Sequence, residues 1–308
     1  MGRIKGKHHP RKGKINLHRI VQFRGHSGCN IELLTNGAKR FVRKISFDKT
    51  YNERLRRQGD VLRQLSQIRN NLFRVPEIYN EGYMHGKYFY DMQFIGNTQN
   101  AFFYLENCHP NEAISFCDKV FDIIKLFSIN RSERSNLFLA NFQKLNDLSH
   151  KIKKLNFKDL TKCIEYLISD IKRIEQLSEL EQTLSHGDLT LDNILIDTNH
   201  EIWLVDSLDN DSPHYFYDIA KLYQDLEGHW GYLYNFIPFN PISNVALCHE
   251  LLTEKIRKTF KLYSKYHYYF LGLTFLRIVP YVLRSPILEP VKERALRFLD
   301  NFMKGAEL

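Results

Sequence analysis

The sequence predicts a bilobal α+β protein with a small β-rich N-terminal lobe and a larger helical C-terminal lobe. Short runs rich in β-branched and aromatic residues, bounded by turn residues, occupy most of residues 20–95. After them, long segments with apolar residues at helical spacing take over. We therefore expect a basic tail over residues 1–19, an N-terminal lobe over 20–95 and a C-terminal lobe over 96–308.

The composition is that of an ordinary globular protein. The 308 residues are 43% hydrophobic and 26% charged, which allows a sizeable core. The apolar runs fall well short of the roughly 20 residues that a membrane span needs, and no apolar signal segment precedes the first strand. The five cysteines are scattered without a CxxC pair, which indicates neither a disulfide framework nor a zinc site. We expect a cytoplasmic protein without a transmembrane segment.

The N-terminal tail carries much of the net charge of +9. Eight Lys and Arg residues and no acidic residue fall within residues 1–24. Such a run attracts phosphates, so an anionic partner is one interpretation and a solvated tail without a partner is the other. No aromatic residue precedes Phe23 in this run, which disfavours stacking on single-stranded bases.

The N-terminal lobe is predicted as strand, strand, helix and further strands. Residues 20–34 and 39–47 indicate two strands joined by a hairpin, and residues 51–68 have helical spacing. Residues 75–95 are typical of strands, with turns expected at their two glycines.

The C-terminal lobe is predicted to be mostly helical. The helical segments are expected at about 110–128, 132–154, 158–180, 243–266 and 267–303. Between them, residues 193–206 contain two short β-like runs separated by a Thr-Asn-His turn, which predicts a hairpin.

Polar residues flank this predicted hairpin. Asn193 and Asp206 stand at its open end and are expected side by side, and Asp188 precedes Asn193 by five residues. Asn and Asp oxygens suit Mg²⁺, which needs few protein ligands when phosphates supply the rest. A nearby carboxylate that accepts a proton from a hydroxyl completes the requirements of phosphoryl transfer. By contrast, Asp192 and Asp197 are expected to be ordinary turn or cap residues.

The stretch "HGDLTLDNILI", followed by "IWLVD", resembles the catalytic segment of the aminoglycoside phosphotransferase and choline kinase group, within the protein-kinase-like fold. The resemblance implies an ATP- and Mg²⁺-dependent kinase. It implies that Asp188 is the catalytic base and that His186 braces the catalytic loop. It further implies that Asn193 and Asp206 hold Mg²⁺.

The segment "YDIAKLYQDLEGHW" over residues 217–230 resembles the part of that group which anchors the catalytic loop. By this resemblance, Asp218 is structural rather than catalytic. More narrowly, the segment is similar to bacterial phosphotransferases encoded among surface-polysaccharide genes.

The N-terminal lobe is expected to supply a lysine for the phosphates of ATP. Lys44 lies within "RFVRKIS" over residues 40–46, where it ends a hydrophobic run that resembles the Val-Ala-Ile-Lys strand of kinases. Alternation places Val42 on the same face, where it would cover adenine. Arg43 lies on the opposite face and is expected to face solvent.

A turn over residues 24–30 is a candidate phosphate cradle. It offers Gly25, Ser27 and Gly28, whose backbone N–H groups suit a phosphate. The match to GxGxxG is poor, and an ordinary hairpin turn explains the same residues.

Kinase-like folds normally pair the lysine with a helical Glu. The register of "RQGDVLRQL" brings Gln58 to that position, and Glu53 lies a turn and a half earlier. Gln58 would hydrogen-bond the lysine without neutralising it. We favour Gln58, and the residues leave both open.

The segment "FYDMQFIG" over residues 89–96 resembles the hinge that binds adenine through its backbone. Met92, Gln93 and Phe94 are the candidates. An edge strand without a ligand is the alternative.

The phosphate acceptor is constrained by what the sequence lacks. Ser207 and Leu208 follow Asp206, so the Asp-Phe-Gly of protein kinases is missing, and the eleven residues before Asp218 leave no room for a long activation loop. These features disfavour a regulated protein kinase.

The positive net charge disfavours a polycationic aminoglycoside as acceptor. The acidic residues near the predicted site are few, namely Asp209, Asp211 and Asp225. We therefore predict a hydroxyl on a small molecule, sugar or glycan precursor. An aromatic cage of Trp230, Tyr232 and Tyr234 would instead suit choline.

Two alternatives remain open. The basic tail would suit an atypical kinase acting on a protein or RNA. Gln58 and the weak glycine turn would suit a non-catalytic, nucleotide-binding pseudokinase. The sequence does not fix ATP against GTP, or the oligomeric state.

Overall fold

The computed structural model describes residues 18–23, 28–134, 137–210 and 212–308. The chain divides into two compact units. The first unit comprises the chain up to Arg56 together with Glu77–Phe94, and the second comprises Arg57–Pro76 and Ile95–Leu308. Nearly all of the predicted basic tail lies outside the described residues.

The first unit is built on a five-stranded antiparallel sheet of order β1-β2-β3-β5-β4. Its strands are β1 (His18–Phe23), β2 (Cys29–Thr35), β3 (Arg40–Ser46), β4 (Ile78–Met84) and β5 (Lys87–Gln93). The predicted β-rich N-terminal region is confirmed. Because β5 lies between β3 and β4, both of its edges are paired.

Two details of the predicted strands were wrong. The run over residues 20–34 is not one strand, because β1 and β2 pair antiparallel with Phe23 opposite Ile31. Gly82 does not make a turn, since it lies inside β4 opposite Phe89. The second glycine, Gly86, does lie in the turn before β5, with a φ of 75° that favours glycine.

Arg43 was expected to face solvent, and this expectation was wrong. The side chains of Arg43 and Asp91 are 10% and 8% exposed and form a two-fold ion pair, with Nε–Oδ1 at 2.6 Å and Nη2–Oδ2 at 2.8 Å. The guanidinium also lies 4.5 Å from the centre of the Phe89 ring. Both faces of β3 are therefore covered.

Helix α1 (Asn52–Ser66) matches the helix predicted over residues 51–68. A short 3₁₀ turn precedes it, and the Asp48 side chain accepts from the Thr50 backbone N–H at 2.8 Å at the start of that turn. Leu55, Leu62 and Leu65 form its buried apolar stripe.

The second unit is mainly helical, as predicted. Its helices are α2 (Ala101–Asn107), α3 (Pro110–Ile129), α4 (Leu137–Lys154), α5 (Lys158–Ser169), α6 (Tyr215–Leu226), α7 (Trp230–Asn235), α8 (Asn244–Thr259), α9 (Lys261–Ile278) and α10 (Leu288–Met303). Its short strands are β6 (Thr98–Asn100), β7 (Arg131–Arg134), β8 (Glu181–Thr183), β9 (Ile194–Asp197) and β10 (Ile202–Leu204). Strands β9 and β10 form the predicted hairpin, with Ile194 opposite Leu204, and β6 pairs with β9.

The predicted helix over residues 267–303 is broken into two. Helix α9 ends at Ile278, and Pro280 then lies in a 3₁₀ turn before α10 begins. Proline removes a backbone donor and clashes with the preceding turn, which explains the break. The segment over residues 243–266 is also broken, at Phe260.

Helix α9 is the centre of the second unit. Its residues from Tyr269 to Leu276 are all buried, as expected of a helix packed on all sides. Phe270 meets the rings of Phe216 and Tyr217 of α6 at 5.5 Å. Among the described residues, no helix is long and apolar enough to cross a membrane.

Candidate active site

Asp188 lies in the loop between β8 and the β9–β10 hairpin, and this loop turns sharply at Gly187. Gly187 has a φ of 80°, and a Cβ there would lie 2.1 Å from the carbonyl oxygen of Leu208. The Leu208 N–H donates to the carbonyl of His186 at 2.9 Å. Only glycine fits where these two backbone segments cross.

One face of α6 holds this loop in place. Asp218, Lys221 and Asp225 are spaced by three and four residues, which places them on the same side of a helix. Each of the three contacts a different part of the loop. Helix α6 therefore holds the segment that carries Asp188 in a fixed position.

The two carboxylates on this face accept backbone hydrogen bonds. Asp218 accepts from the N–H groups of His186 at 2.9 Å and Gly187 at 2.7 Å. Asp225 accepts from the N–H of Leu191 at 2.7 Å. Burial raises the pKa of Asp218 to about 7 and that of Asp225 to about 8. The predicted anchoring role of Asp218 is thus confirmed.

The Asp188 carboxylate is held at both oxygens. Lys221 Nζ lies 2.9 Å from Oδ1, and Asn193 Nδ2 donates to Oδ2 at 2.9 Å. Burial acts to raise the pKa of Asp188, but the charge of Lys221, with smaller contributions from His186 and Arg277, lowers it below its usual value. The carboxylate is therefore ionised and fixed in orientation.

Asn193 and Asp206 flank the open end of the β9–β10 hairpin. The Val205 N–H donates to the Asn193 carbonyl at 3.0 Å, which places Asp206 one residue beyond the paired end of the hairpin. The Asn193 amide nitrogen also donates to the Asp188 carbonyl at 2.8 Å. Its oxygen therefore faces away from Asp188, as a metal ligand requires, and the donor set of one amide and one carboxylate oxygen suits Mg²⁺. The described residues contain no group of three His, Cys, Asp or Glu side chains that would hold a metal without a nucleotide.

His186 is buried completely within the second unit. Burial lowers the pKa of its imidazole to about 4, against the opposing effect of Asp188 and Asp206. The ring is therefore neutral near pH 7. Complete burial is compatible with a bracing role, which stays a prediction.

Asp192 and Asp197 have the structural roles expected of them. The Asp192 side chain accepts from Asn100 Nδ2 at 2.7 Å. Asp197 accepts from the backbone N–H groups of Asn199 and Glu201 at 2.9 and 3.0 Å, which closes the β9–β10 turn.

In the first unit, Lys44 and Val42 lie on β3 and are 2% and 8% exposed. Gly25 and Ser27 lie outside the described residues. Gly28 has a structural reason to be glycine, since a Cβ there would lie 2.5 Å from the Tyr51 ring.

The predicted hinge residues lie at the end of an interior strand, so the edge-strand alternative was wrong. Met92 of β5 is buried and pairs with Val42 on one side and Ile78 on the other. The Gln93 N–H donates to the Glu77 carbonyl at 2.8 Å, so this N–H already has a hydrogen-bond acceptor within the protein. The neighbouring Phe94 is half-buried.

The two candidates on α1 differ in burial. The Glu53 side chain is 58% exposed and pairs with Arg56 at 2.8 Å. Gln58 is 1% exposed, and its backbone carbonyl accepts from Ser207 Oγ at 3.3 Å. Gln58 is thus the buried one of the two candidates, and the pairing of either residue with Lys44 stays a prediction.

The acidic residues around the loop are engaged within the second unit. Asp209 pairs with Arg57 at 3.2 Å, and Asp225 holds the backbone as described. Asp211 lies outside the described residues. Asp209 and Asp225 are thus both engaged with groups of the second unit.

The proposed aromatic cage does not form. Trp230 and Tyr234 stack at 5.6 Å. Tyr232 is on the other side of α7, where its ring meets Phe102 at 5.0 Å and its hydroxyl donates to Ser243 at 2.9 Å.

Sequence reasoning missed Lys221 and Arg277. The spacing of Lys221 from Asp218 would have placed it on the face of α6 that anchors the loop. Nothing in the local sequence of α9 marked Arg277, whose charge reaches Asp188 only through the packing of α9 in the folded unit.

The chain is similar to known proteins in sequence and in fold. A sequence model of the phosphotransferase enzyme family matches residues 20–231. No curated protein sequence matches the chain significantly. Two solved structures resemble its fold and confirm the predicted protein-kinase-like architecture.

One is a protein named as a fructosamine-3-kinase from Haemophilus somnus 129PT, at a TM-score of 0.60 and 14% identity, covering 93% of this chain and 91% of that one. The other is a thermostable mutant of the aminoglycoside phosphotransferase APH(4)-Ia, in a ternary complex with AMP-PNP and hygromycin B. Its TM-score is 0.58 at 12% identity, covering 96% of both chains.

Proposed function

The chain belongs to the phosphotransferase enzyme family, and we propose that it moves the γ-phosphate of ATP, with Mg²⁺, to a hydroxyl of a small molecule, sugar or glycan precursor. One observation carries the proposal. The Asp188 carboxylate is ionised and held at both oxygens, and side chains of α6 fix the loop on which it lies. Such rigid placement is what phosphoryl transfer requires of a protein.

Asp188 is proposed as the group that orients the acceptor hydroxyl. The hydroxyl oxygen forms a bond to the γ-phosphorus as the bond from that phosphorus to the bridging oxygen breaks, and ADP leaves. The hydroxyl proton passes to Asp188. A carboxylate of lowered pKa suits this role because a loose transition state needs orientation more than a strong base.

We propose three residues for binding the nucleotide and its metal ion. Lys44 would bind the phosphates, and Asn193 and Asp206 would hold Mg²⁺, which neutralises phosphate charge when bound. The neighbour that was solved with AMP-PNP supports the choice of ATP.

The acceptor is proposed to be neutral or anionic. Asp209 is paired with Arg57 and Asp225 is buried against the backbone, so these two carboxylates are already engaged, and the positive net charge of the chain also disfavours a polycation. The two structural neighbours are named for small acceptors, fructosamine and an aminoglycoside, which favours a small molecule over a protein or RNA.

The test is an ADP-release assay of the full chain with ATP and Mg²⁺ across a panel of sugars, sugar phosphates, amino sugars, aminoglycosides, choline and nucleosides. Calorimetric titration with ATP and Mg²⁺ accompanies it. We expect binding, together with acceptor-dependent ADP release for at least one neutral or anionic hydroxyl compound. Binding without turnover on any compound would favour a pseudokinase, and release dependent on choline or an aminoglycoside would overturn the acceptor class.

A further inference from the structure

Lys221 of α6 contacts Asp188 from outside the catalytic loop and the hairpin. Its Nζ lies 2.9 Å from Asp188 Oδ1 and 3.0 Å from Gln224 Oε1. The Lys221 and Asp188 side chains are only 16% and 22% exposed. A pair so shielded from solvent is weakened by salt far less than a surface pair.

The contact with Lys221 restricts a rotation of the Asp188 carboxylate that the loop itself leaves free. Asn193 holds Oδ2 of Asp188 from one side, but a single hydrogen bond leaves the carboxylate free to swing about it. With Lys221 on Oδ1, both oxygens are held and the plane of the carboxylate is set. The lysine is itself tethered by Gln224, one helical turn further along α6.

The charges around Asp188 come from several elements. Lys221 of α6 and Arg277 of α9 are positive. The carboxyl groups near the loop are Asp218 and Asp225 of α6, Asp192 of the loop itself and Asp206 after β10. His186, in the loop itself, is neutral near pH 7. Of the two cations, Lys221 forms the ion pair with Asp188, at 2.9 Å.

We infer that Lys221 is a positioning residue for phosphoryl transfer, which aims the Asp188 carboxylate at the acceptor hydroxyl and offsets its repulsion of the incoming phosphate. This inference rests on the proposed function. In this role Lys221 makes no contact with ATP. Its effect on Asp188 therefore changes the turnover rate and leaves the nucleotide affinity unchanged.

The experiment compares the full-length wild type with Lys221→Met and Lys221→Arg, using ATP, Mg²⁺ and an acceptor found by the panel assay. Misplacing a reacting group by about 1 Å costs roughly 100-fold in rate, so we expect kcat of Lys221→Met to fall by about that factor. The KM for ATP and the calorimetric ATP affinity should stay within about twofold, and Lys221→Arg should restore most of kcat, because a cation again faces Asp188.

Lys255→Met is the matched control. Lys255 forms a similar lysine–aspartate pair with Asp118 at 2.7 Å, between α8 and α3. The Lys255→Met substitution should leave kcat unchanged. If Lys221→Met is too unstable to assay, Gln224→Leu loosens the lysine without removing it and should lower kcat with unchanged ATP affinity.

Three outcomes would overturn the inference. The first is wild-type kcat in Lys221→Met, or in Gln224→Leu where the first variant does not fold. The second is weaker ATP binding at unchanged kcat, which would indicate a phosphate ligand. The third is an equal loss in Lys221→Met and Lys221→Arg. A wild-type protein that turns over no acceptor would instead reject the proposed function, so the two failures are distinguishable.

Discussion

The Asp218 carboxylate lies 2.7 Å from the backbone nitrogen of Gly187, and this contact ties α6 to the turn that precedes Asp188. Gly187 adopts a φ of 80° against the Leu208 carbonyl. The anchor and the glycine turn together set where Asp188 lies.

Gly187→Ala should lower both stability and turnover. The added methyl combines the cost of a left-handed backbone, about 1–2 kcal/mol, with overpacking of about 1–3 kcal/mol. Gly37→Ala is the control, since Gly37 has a φ of 92° with nothing within 4 Å of its Cβ. Denaturant unfolding and kcat measure both effects. Equal losses in the two variants would show that the Leu208 contact carries no constraint.

The pH dependence of stability should contain a contribution from Asp225. Its folded pKa of about 8 lies above the usual value of 3.8, so between these values the folded state holds a proton that the unfolded state has lost. The free energy of unfolding contributed by this group therefore falls as pH rises through that window. We expect the denaturant midpoint of unfolding to decrease between about pH 5 and about pH 8, and this decrease should be smaller in Asp225→Asn than in the wild type.

Asp218, with a pKa of about 7, acts in the same direction and remains in that variant, so the drop is reduced rather than abolished. An identical change in midpoint in both proteins would contradict the assignment.

Asp91→Ala should destabilise the first unit. It leaves the Arg43 guanidinium buried without its carboxylate, and breaking such a pair costs about 3–5 kcal/mol. Glu32→Ala removes the exposed pair with Arg19 and should cost less than about 1 kcal/mol. Chemical denaturation of both variants provides the comparison, and similar losses would rule out a structural role for the buried pair.

Asn193→Ala should raise the Mg²⁺ concentration needed for half-maximal activity by at least about tenfold, the lower range for disturbed metal sites. The turn residue Asn199, exposed at the far end of the same hairpin, supplies the control substitution to Ala. Activity assayed across a Mg²⁺ titration provides the measurement. A lower kcat at unchanged Mg²⁺ requirement would mean that Asn193 only holds Asp188.

Local patterns predicted the parts of the fold that depend on neighbouring residues. The β9–β10 hairpin followed from two short apolar runs around a turn. The anchoring role of Asp218 followed from a resemblance in sequence.

Long-range pairing explains what was missed. Arg43 is buried because β5 brings Asp91 beside it, and Lys221 meets Asp188 because α6 lies along the loop. Neither partner is adjacent in sequence, so alternation along one strand or one helix does not reveal it.

The most direct test of the central claim is single-turnover transfer from γ-labelled ATP to the identified acceptor, in the wild type and in Asp188→Asn. If Asp188 orients and deprotonates the hydroxyl, the variant should transfer phosphate slower by about 10²–10⁴-fold, with its ATP affinity nearly unchanged. Transfer at the wild-type rate in Asp188→Asn would contradict the account.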